Sequence, residues 1–318
     1  MSRALVSIVV RDAPGASEQS RERVRAAAAD LGYRPDSRAR LLSRSRSRLL
    51  GVVFGVQHPF HGDLVEGIYL AAEKAGYEVA LSAVTPTRTE TRATETLLDD
   101  RCEALILLGP QLPTRQLSHL AHRLPVVVVA RNVKDPNLDV VRTADDDGLR
   151  LTVDHLVELG HRDIVHIDGG RAASAAERRR GYRTAMRRHG LFDHICILPG
   201  GLTEEAGAAA ARQLLDGPAL PSAAAVFNDS SAIGVLDTLL RAGLRVPEDI
   251  SLVGYDDSRQ ARLAPINLTT IGQNTQTMAE LTVTRAIARL TREDESASET
   301  VTPPTLIVRG STAPPIVG

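Results

Sequence analysis

Polar side chains gather where short apolar runs stop, which is where a binding site would draw its chemistry. His58 and His61 follow LLGVVFGV, Arg131 and Asn132 follow PVVVVA, Asn228 and Asp229 follow AAAVF, Asp256 and Asp257 follow ISLVGY, and Gln273 follows LTTIG. Carboxylates and amides at such points accept from hydroxyls, while a guanidinium grips a carboxylate, a phosphate or a hydroxyl pair through its planar fork. The two histidines read either as donors to an anionic or hydroxylated ligand or as exposed loop residues. Asp145, Asp146 and Asp147 have the look of a metal site, yet they open a helical pattern, where acids complement the helix dipole, and no metal is expected. Reactive partners for these groups are missing. The chain has no GxxxxGK[ST], no GxGxxG after its first apolar run, no GxSxG and no HExxH, so phosphate cradle, dinucleotide, serine hydrolase and zincin chemistries lack their residues. Binding without catalysis remains, and neither an enzyme nor a cofactor is expected.

The elements that must position these groups alternate along the chain. From Leu49 onward, LLGVVFGV, YEVALSAV, EALILL and PVVVVA are separated by helix-like stretches such as GDLVEGIYLAAEKAG. Continuous apolar runs such as Val126 to Val129 imply strands buried on both faces, hence a parallel sheet between helices. The rhythm then repeats through IVHID, ICIL, AAAVFN and ISLVGYDD, with helices at Gly148 to Leu159 and Ala175 to His189, so two doubly wound units are expected. LTTIG, a helix through Met278, Leu281 and Ile287, and TLIVRG supply material for the chain to recross between them.

At 318 residues the chain is long for one packed unit, and its 43% hydrophobic and 24% charged composition is that of an ordinary globular protein. No apolar run approaches the ~18 residues of a membrane span, and the apolar stretch in MSRALVSIVVRDAPG is too short for a signal peptide, so a cytoplasmic protein with no membrane partner is expected. Cys102 and Cys196 lack CxxC partners and read as reduced thiols. The net charge of -1 hides an asymmetry: residues 1 to 50 carry eleven arginines against five acids, a net +6, which leaves -7 on the rest. A polyanion-binding segment on an acidic body has this pattern, and so does a solvated basic helix. Within that segment Ser17 to Leu31 predicts an amphipathic helix, with Val24, Ala27, Ala28 and Leu31 on one face, Ser17 as N-cap and Gly32 as stop. LVSIVV is strand-like by propensity; as a helix from Ser2 it places Val6, Val9 and Val10 on one stripe.

The first forty-two residues, MSRALVSIVVRDAPGASEQSRERVRAAAADLGYRPDSRARLL, resemble the DNA-binding segment of the lactose/galactose repressor family of bacterial transcription regulators. HPFHGDLVEGIYLAAEKAGYEVAL, VDHLVELGHRDIVHIDG, AERRRGYRTAM, VFNDSSAIGVLDTLLRAGLRVPEDISLVGYDD, LTTIGQ and LIVRGSTAPP then resemble that family's blocks in order, over essentially the whole chain. The resemblance implies an α/β fold: a two-lobed, periplasmic-binding-protein-like core of doubly wound parallel sheets behind an all-α helix-turn-helix headpiece. The headpiece and hinge helix would occupy residues 1–48 and the effector-binding core 49–318. Its N-lobe is expected over about 49–145 and 275–302, its C-lobe over about 146–273 and 304–318.

By the same resemblance LVSIVV is the recognition helix, beginning at Ser2, and the headpiece is incomplete: Met1 stands where the family has the valine of the preceding turn, so the first helix of the helix-turn-helix is absent from this sequence. Arg3, Ala4 and Ile8 fall where the family reads bases and Ser7 where it contacts phosphate; only Arg3 can take a guanine bidentately. Arg38, Arg40 and Leu42 match the hinge helix, in which the leucine wedges into a minor-groove step; a surface leucine in a linker is the alternative. In the core, Arg178, Asn228 and Asp256 match effector-binding positions and Phe60 an apolar wall, beside the strand-end residues His58, Arg131 and Gln273. The implied function is a dimeric, ligand-responsive repressor whose partners are a pseudo-palindromic double-stranded DNA operator, a second copy of itself and a small-molecule effector, a sugar or related metabolite. A ligand sensor without DNA binding and a solute-binding protein are the alternatives.

Overall fold

A computed structural model describes residues 2–10, 14–31, 46–291 and 296–316. The chain forms two compact units, 1–48 and 49–318. In the first, α1 (Arg3–Val10) packs on α2 (Glu18–Asp30), burying Val9 and Val24. LVSIVV is therefore helical: the contact with α2 overrides a β-branched propensity that carries little weight by itself. Ser17 caps α2, its hydroxyl accepting from Ser20 N, with Glu18 in the first turn.

The second unit contains two six-stranded sheets. The first lobe is built from β1 (Leu49–Gly55), α3 (Pro59–Lys74), β2 (Glu78–Val84), α4 (Glu90–Asp99), β3 (Ala104–Leu108), α5 (Thr114–Ala121), β4 (Val126–Val129) and β5 (Asp139–Thr143). The second continues with α6 (Asp145–Glu158), β6 (Ile164–Ile167), α7 (Ala175–Arg188), β7 (Cys196–Leu198), α8 (Glu204–Leu215), β8 (Ala223–Val226), α9 (Asp229–Arg241), β9 (Ser251–Asp256) and β10 (Thr269–Gly272). Then α10 (Thr275–Thr291) and β11 (Glu299–Thr302) return to the first lobe, and β12 (Thr305–Ile307) closes the second. The strand orders are β11-β5-β4-β3-β1-β2 and β12-β10-β9-β8-β6-β7, parallel throughout except for the β10–β12 pair. Every residue of β3 and β4 is buried, as their unbroken apolar runs demand.

The chain passes between lobes three times, at Thr143 to Asp145, Gly272 to Thr275 and Thr302 to Thr305, all along one edge of the sheets. Within each lobe the segments that flank the crossovers are tied down. Asp139, fully buried at the start of β5, accepts from Arg285 Nε of α10 and from Ser298 N ahead of β11. His161 does the same for the C-terminal segment: its ring bridges Ser222 Oγ (3.0 Å) and Ala313 O (2.9 Å), and since a carbonyl only accepts, Nε2 carries the hydrogen.

Helices α8 and α9 cross at unusually close range. A Cβ on Gly207 would overlap Ser231 O, and a Cβ on Gly234 would overlap Glu204 O, so each helix presents a glycine to the other's backbone. A side chain at either point has only rigid backbone to displace. Gly234→Val should lower stability by about 3 kcal/mol or more, at the upper end of overpacking costs, and urea unfolding followed by circular dichroism measures it.

Candidate functional site

Between the lobes, at the carboxyl ends of the parallel strands, lies a cleft of about 560 Å³ counting its open mouth. Ligand sites in such sheets fall at this end because the loops there are free to vary while the strands stay fixed. His58, Phe60, Arg178, Asn228, Asp256 and Gln273 all line it. Six of the seven core positions expected from sequence are thus brought together from both lobes.

Arg178, near the start of α7, is the centre of the arrangement and is only 4% exposed. A buried guanidinium needs a counter-charge and satisfied donors. Asp145 at the first turn of α6 accepts from its Nε at 2.9 Å, and Phe227 O accepts from its Nη1. The plane is stacked as well, with Cζ 3.5 Å from the Tyr255 ring centroid and 4.4 Å from that of Phe227. Burial by itself would depress the guanidinium's pKa, but Asp145 more than offsets this and holds it above its ordinary value. Nη2 has no partner among the described residues, so one edge of the fork remains for a ligand.

Two glycines make room for the stack. A Cβ at Gly148 would lie 2.5 Å from Tyr255 Oη, and one at Gly169 would lie 2.5 Å from the Phe227 ring. Arg179 pairs with the buried Asp168 and Arg180 with Asp146 at the surface, so the arginine run contributes one buried member, one partly buried pair and one surface pair.

Asp256 ends β9 in left-handed backbone, φ 114°, and accepts from Gln273 Nε2 at 2.8 Å. Burial, with Asp229 close by, raises its pKa well above the usual carboxylate range despite the opposing Arg178 charge. Asp229 lies deeper, accepting from Thr270 Oγ1 and Ser258 N, both at 2.7 Å. Asn228 is already engaged at both ends: Oδ1 caps α9 through Ser231 N, and Nδ2 donates to Leu202 O. It faces the cleft with one carbonyl lone pair to spare.

The histidines beneath the first strand are buried rather than loop-exposed in the case of His61. Its Nδ1 accepts from Gly55 N at 3.0 Å, and burial, with His58 at a ring-centroid distance of 4.7 Å, pushes its pKa down to about 3. The neutral ring therefore keeps its hydrogen on Nε2. Burial lowers His58 too.

Arg131 departs from expectation. It does not line the cleft, because Ala130 takes left-handed backbone, φ 57°, and turns the side chain onto Pro110 O and Leu112 O. Together with Glu90, which accepts from Gln111 N and Leu112 N, it fixes the loop after β3. Phe227 and Ser174, which line the cleft, and Asp145 and Tyr255, which hold Arg178 in place, are not singled out as such by the sequence. Asp145 was read as a dipole partner of its helix; it does sit in the first turn, and it is also the counter-ion of Arg178. Ser174 joins the lobes through a hydrogen bond to Ala130 O, and Asn132 does so through Glu177.

In the first unit, Arg3, Ala4, Ser7 and Ile8 fall on α1, whereas Arg38, Arg40 and Leu42 lie outside the described residues. Among the described residues no cluster of His, Cys, Asp or Glu could hold a metal ion, and no helix is long and apolar enough to cross a membrane.

Residues 153–312 match the model of the periplasmic binding protein-like domain. The chain is 31% identical to the ribose operon repressor of Escherichia coli K12 over 98% of its own length and 96% of that protein's. It is 50% identical to the crystal structure of a LacI transcriptional regulator from a Rhodococcus species, covering 84% of this chain and 98% of that one with a TM-score of 0.81. A crystal structure of the lac repressor dimer bound to operator and the anti-inducer ONPF superposes over 98% of this chain and 96% of that one, at 29% identity and a TM-score of 0.83.

The buried imidazoles set an acid limit on the folded core. His61 and His166 are held neutral, with pKa values pushed down to about 3 and about 4, whereas the unfolded chain protonates them near pH 6.5. The unfolded state binds more protons between those limits, so the stability they contribute is present above pH 6.5 and is lost as the pH falls. Lowering the pH from 7 to 5 should cost about 2 kcal/mol for each. His61→Asn should remove its share of that loss, read from urea midpoints at the two pH values.

Proposed function

Because this chain belongs to the lactose/galactose repressor family of bacterial transcription regulators, we propose that it is a ligand-responsive transcriptional repressor that binds a pseudo-palindromic DNA operator as a homodimer and a small, sugar-like effector between its lobes. The observation that carries the effector reading is Arg178, a buried, charge-paired and ring-stacked guanidinium with one free edge in a cleft shared by both lobes. That free edge and Asp256 supply complementary donors and acceptors for a hydroxylated ring, with Gln273 holding Asp256, Phe60 forming an apolar wall and His58 bordering the opening. Asn228 adds one acceptor. In this reading residues 1–48 bind DNA, with Arg3, Ala4, Ser7 and Ile8 on the recognition helix and Arg38, Arg40 and Leu42 in the hinge helix, and two-fold protein symmetry calls for matching half-sites.

Effector and operator are coupled through the three crossovers, since whatever changes the angle between lobes changes the spacing of the hinge helices. Nothing in the cleft points to bond making, and the protein works in the cytoplasm, where operator and metabolite meet.

The test combines footprinting on fragments flanking the gene with calorimetric titration of sugars in the presence and absence of the protected fragment. Protection of paired half-sites is expected, and operator should shift effector affinity by the same factor by which effector shifts operator affinity; a hundredfold factor would correspond to about 2.7 kcal/mol. Arg178→Ala should abolish effector binding while the circular dichroism spectrum stays folded. A single unpaired half-site, or effector affinity indifferent to operator, overturns the reading.

A further inference from the structure

A second concavity lies outside the interlobe cleft, on the face of the first lobe where α4 and α5 cover the sheet. It is a groove of about 1320 Å³ counting its open mouth, against 560 Å³ for the cleft, and no residue lines both. Its floor is apolar, made of Leu98 from α4, Leu112 from the loop ahead of α5 and Leu120 near the end of α5, each half-buried against the core beneath.

The charge of the groove is one-sided. Between Glu103 and Asp135 the chain carries no acid, and from that stretch α5 and the turn after it present Arg115, His119, His122 and Arg123. Opposite them α4 contributes the hydroxyls of Thr91 and Thr94 and a single acid, Glu95, which Arg92 of the same helix already holds at 3.7 Å. None of the four basic side chains has a hydrogen-bonding or ionic partner among the described residues. Arginines elsewhere on this unit's surface do find carboxylates, as Arg150, Arg188, Arg241 and Arg245 show, and acids are in excess beyond residue 50. A groove that keeps its cations unpaired in such a chain is complementary to an anion brought from outside.

The two guanidiniums stand at opposite ends. Arg115 lies in the first turn of α5 and Arg123 just past the last, so the eight residues of the helix, a rise of about 12 Å, separate them. At the Arg115 end the helix follows Pro113 with no side-chain cap, and its N-terminal dipole adds to the guanidinium. At the far end His119 and His122 supplement Arg123. We propose that this groove binds an elongated organic dianion, its apolar middle on the leucine floor and one acidic group, carboxylate or phosphate, at each of Arg115 and Arg123. Each guanidinium takes its acid through the planar fork, and the imidazoles donate to the oxygens left over.

The experiment titrates the full chain calorimetrically, at constant ionic strength, with adipate, suberate and sebacate, with hexanoate, octanoate and decanoate, with the bisphosphates of the matching diols, and with a polyglutamate peptide. At least one dianion should bind about tenfold or more tightly than the monoanion of equal length, because only the dianion forms the second charge-assisted pair, and the tighter end group identifies the acid. Arg115→Gln and Arg123→Gln, both at exposed positions, should each bring that dianion down to the monoanion's affinity. Thr91→Trp, which fills the groove from α4, should abolish binding with both arginines still in place. Equal affinity for monoanion and dianion, dianion binding that survives the arginine substitutions, binding of the peptide alone, or binding of no probe overturns the proposal.

Discussion

A single buried charge organises this cleft. Arg178 cannot be held out of water without a counter-ion, so Asp145 must stand at the first turn of α6, and the passage from β5 into that helix is fixed within one intervening residue. The guanidinium faces also need cover, which Tyr255 and Phe227 supply from the ends of two neighbouring strands. Those rings in turn fit only because positions 148 and 169 carry no side chain. One cation thus constrains a helix start, two aromatic residues and two glycines spread over more than a hundred positions of sequence. Loss of any one of them leaves the others without a reason for their geometry.

Sequence reasoning reached the architecture because its signals are local. Unbroken runs such as Val126 to Val129 announce strands covered on both faces, and alternation with amphipathic stretches announces the helices that cover them. The N-terminal LVSIVV resisted such reasoning because propensity is a weak guide there and its helix depends on packing against another segment, α2, with Val9 and Val24 buried. The cleft was legible to the extent that strand ends point at it. Arg131 shows where that rule stops: the backbone turn at Ala130 sends the side chain to two carbonyls of a different loop, which no pattern in PVVVVA reveals. Arg178 was reachable only by resemblance, because nothing in the run distinguishes it from Arg179 and Arg180, which pair elsewhere, and its counter-ion lies 33 residues upstream.

Close backbone contact recurs as the way rigidity is built. Gly207 and Gly234 let α8 and α9 touch through their main chains, and Gly181 lets α7 approach Asp146 at the head of α6. Such contacts leave no side chain to readjust, so neither helix of a pair can shift toward the other without displacing its backbone. His161 ties the C-terminal segment to the second lobe, and Asp139 ties the approach to β11 to the start of β5. What is left to deform is the short connecting edge.

That edge has a mechanical consequence. All three crossovers lie on one side of both sheets, so the lobes are joined like the covers of a book, with β2 and β7 at the fore-edge. For any given angle of opening, displacement grows with distance from the spine. The residues around Asp256 and Gln273 sit near it, where a rotation barely changes a hydrogen-bond length, while those around Gly170 and Val84 sit at the end of the lever. Leverage is thereby graded across the cleft: the groups near the spine stay almost in place as the lobes turn, and those at the fore-edge travel farthest.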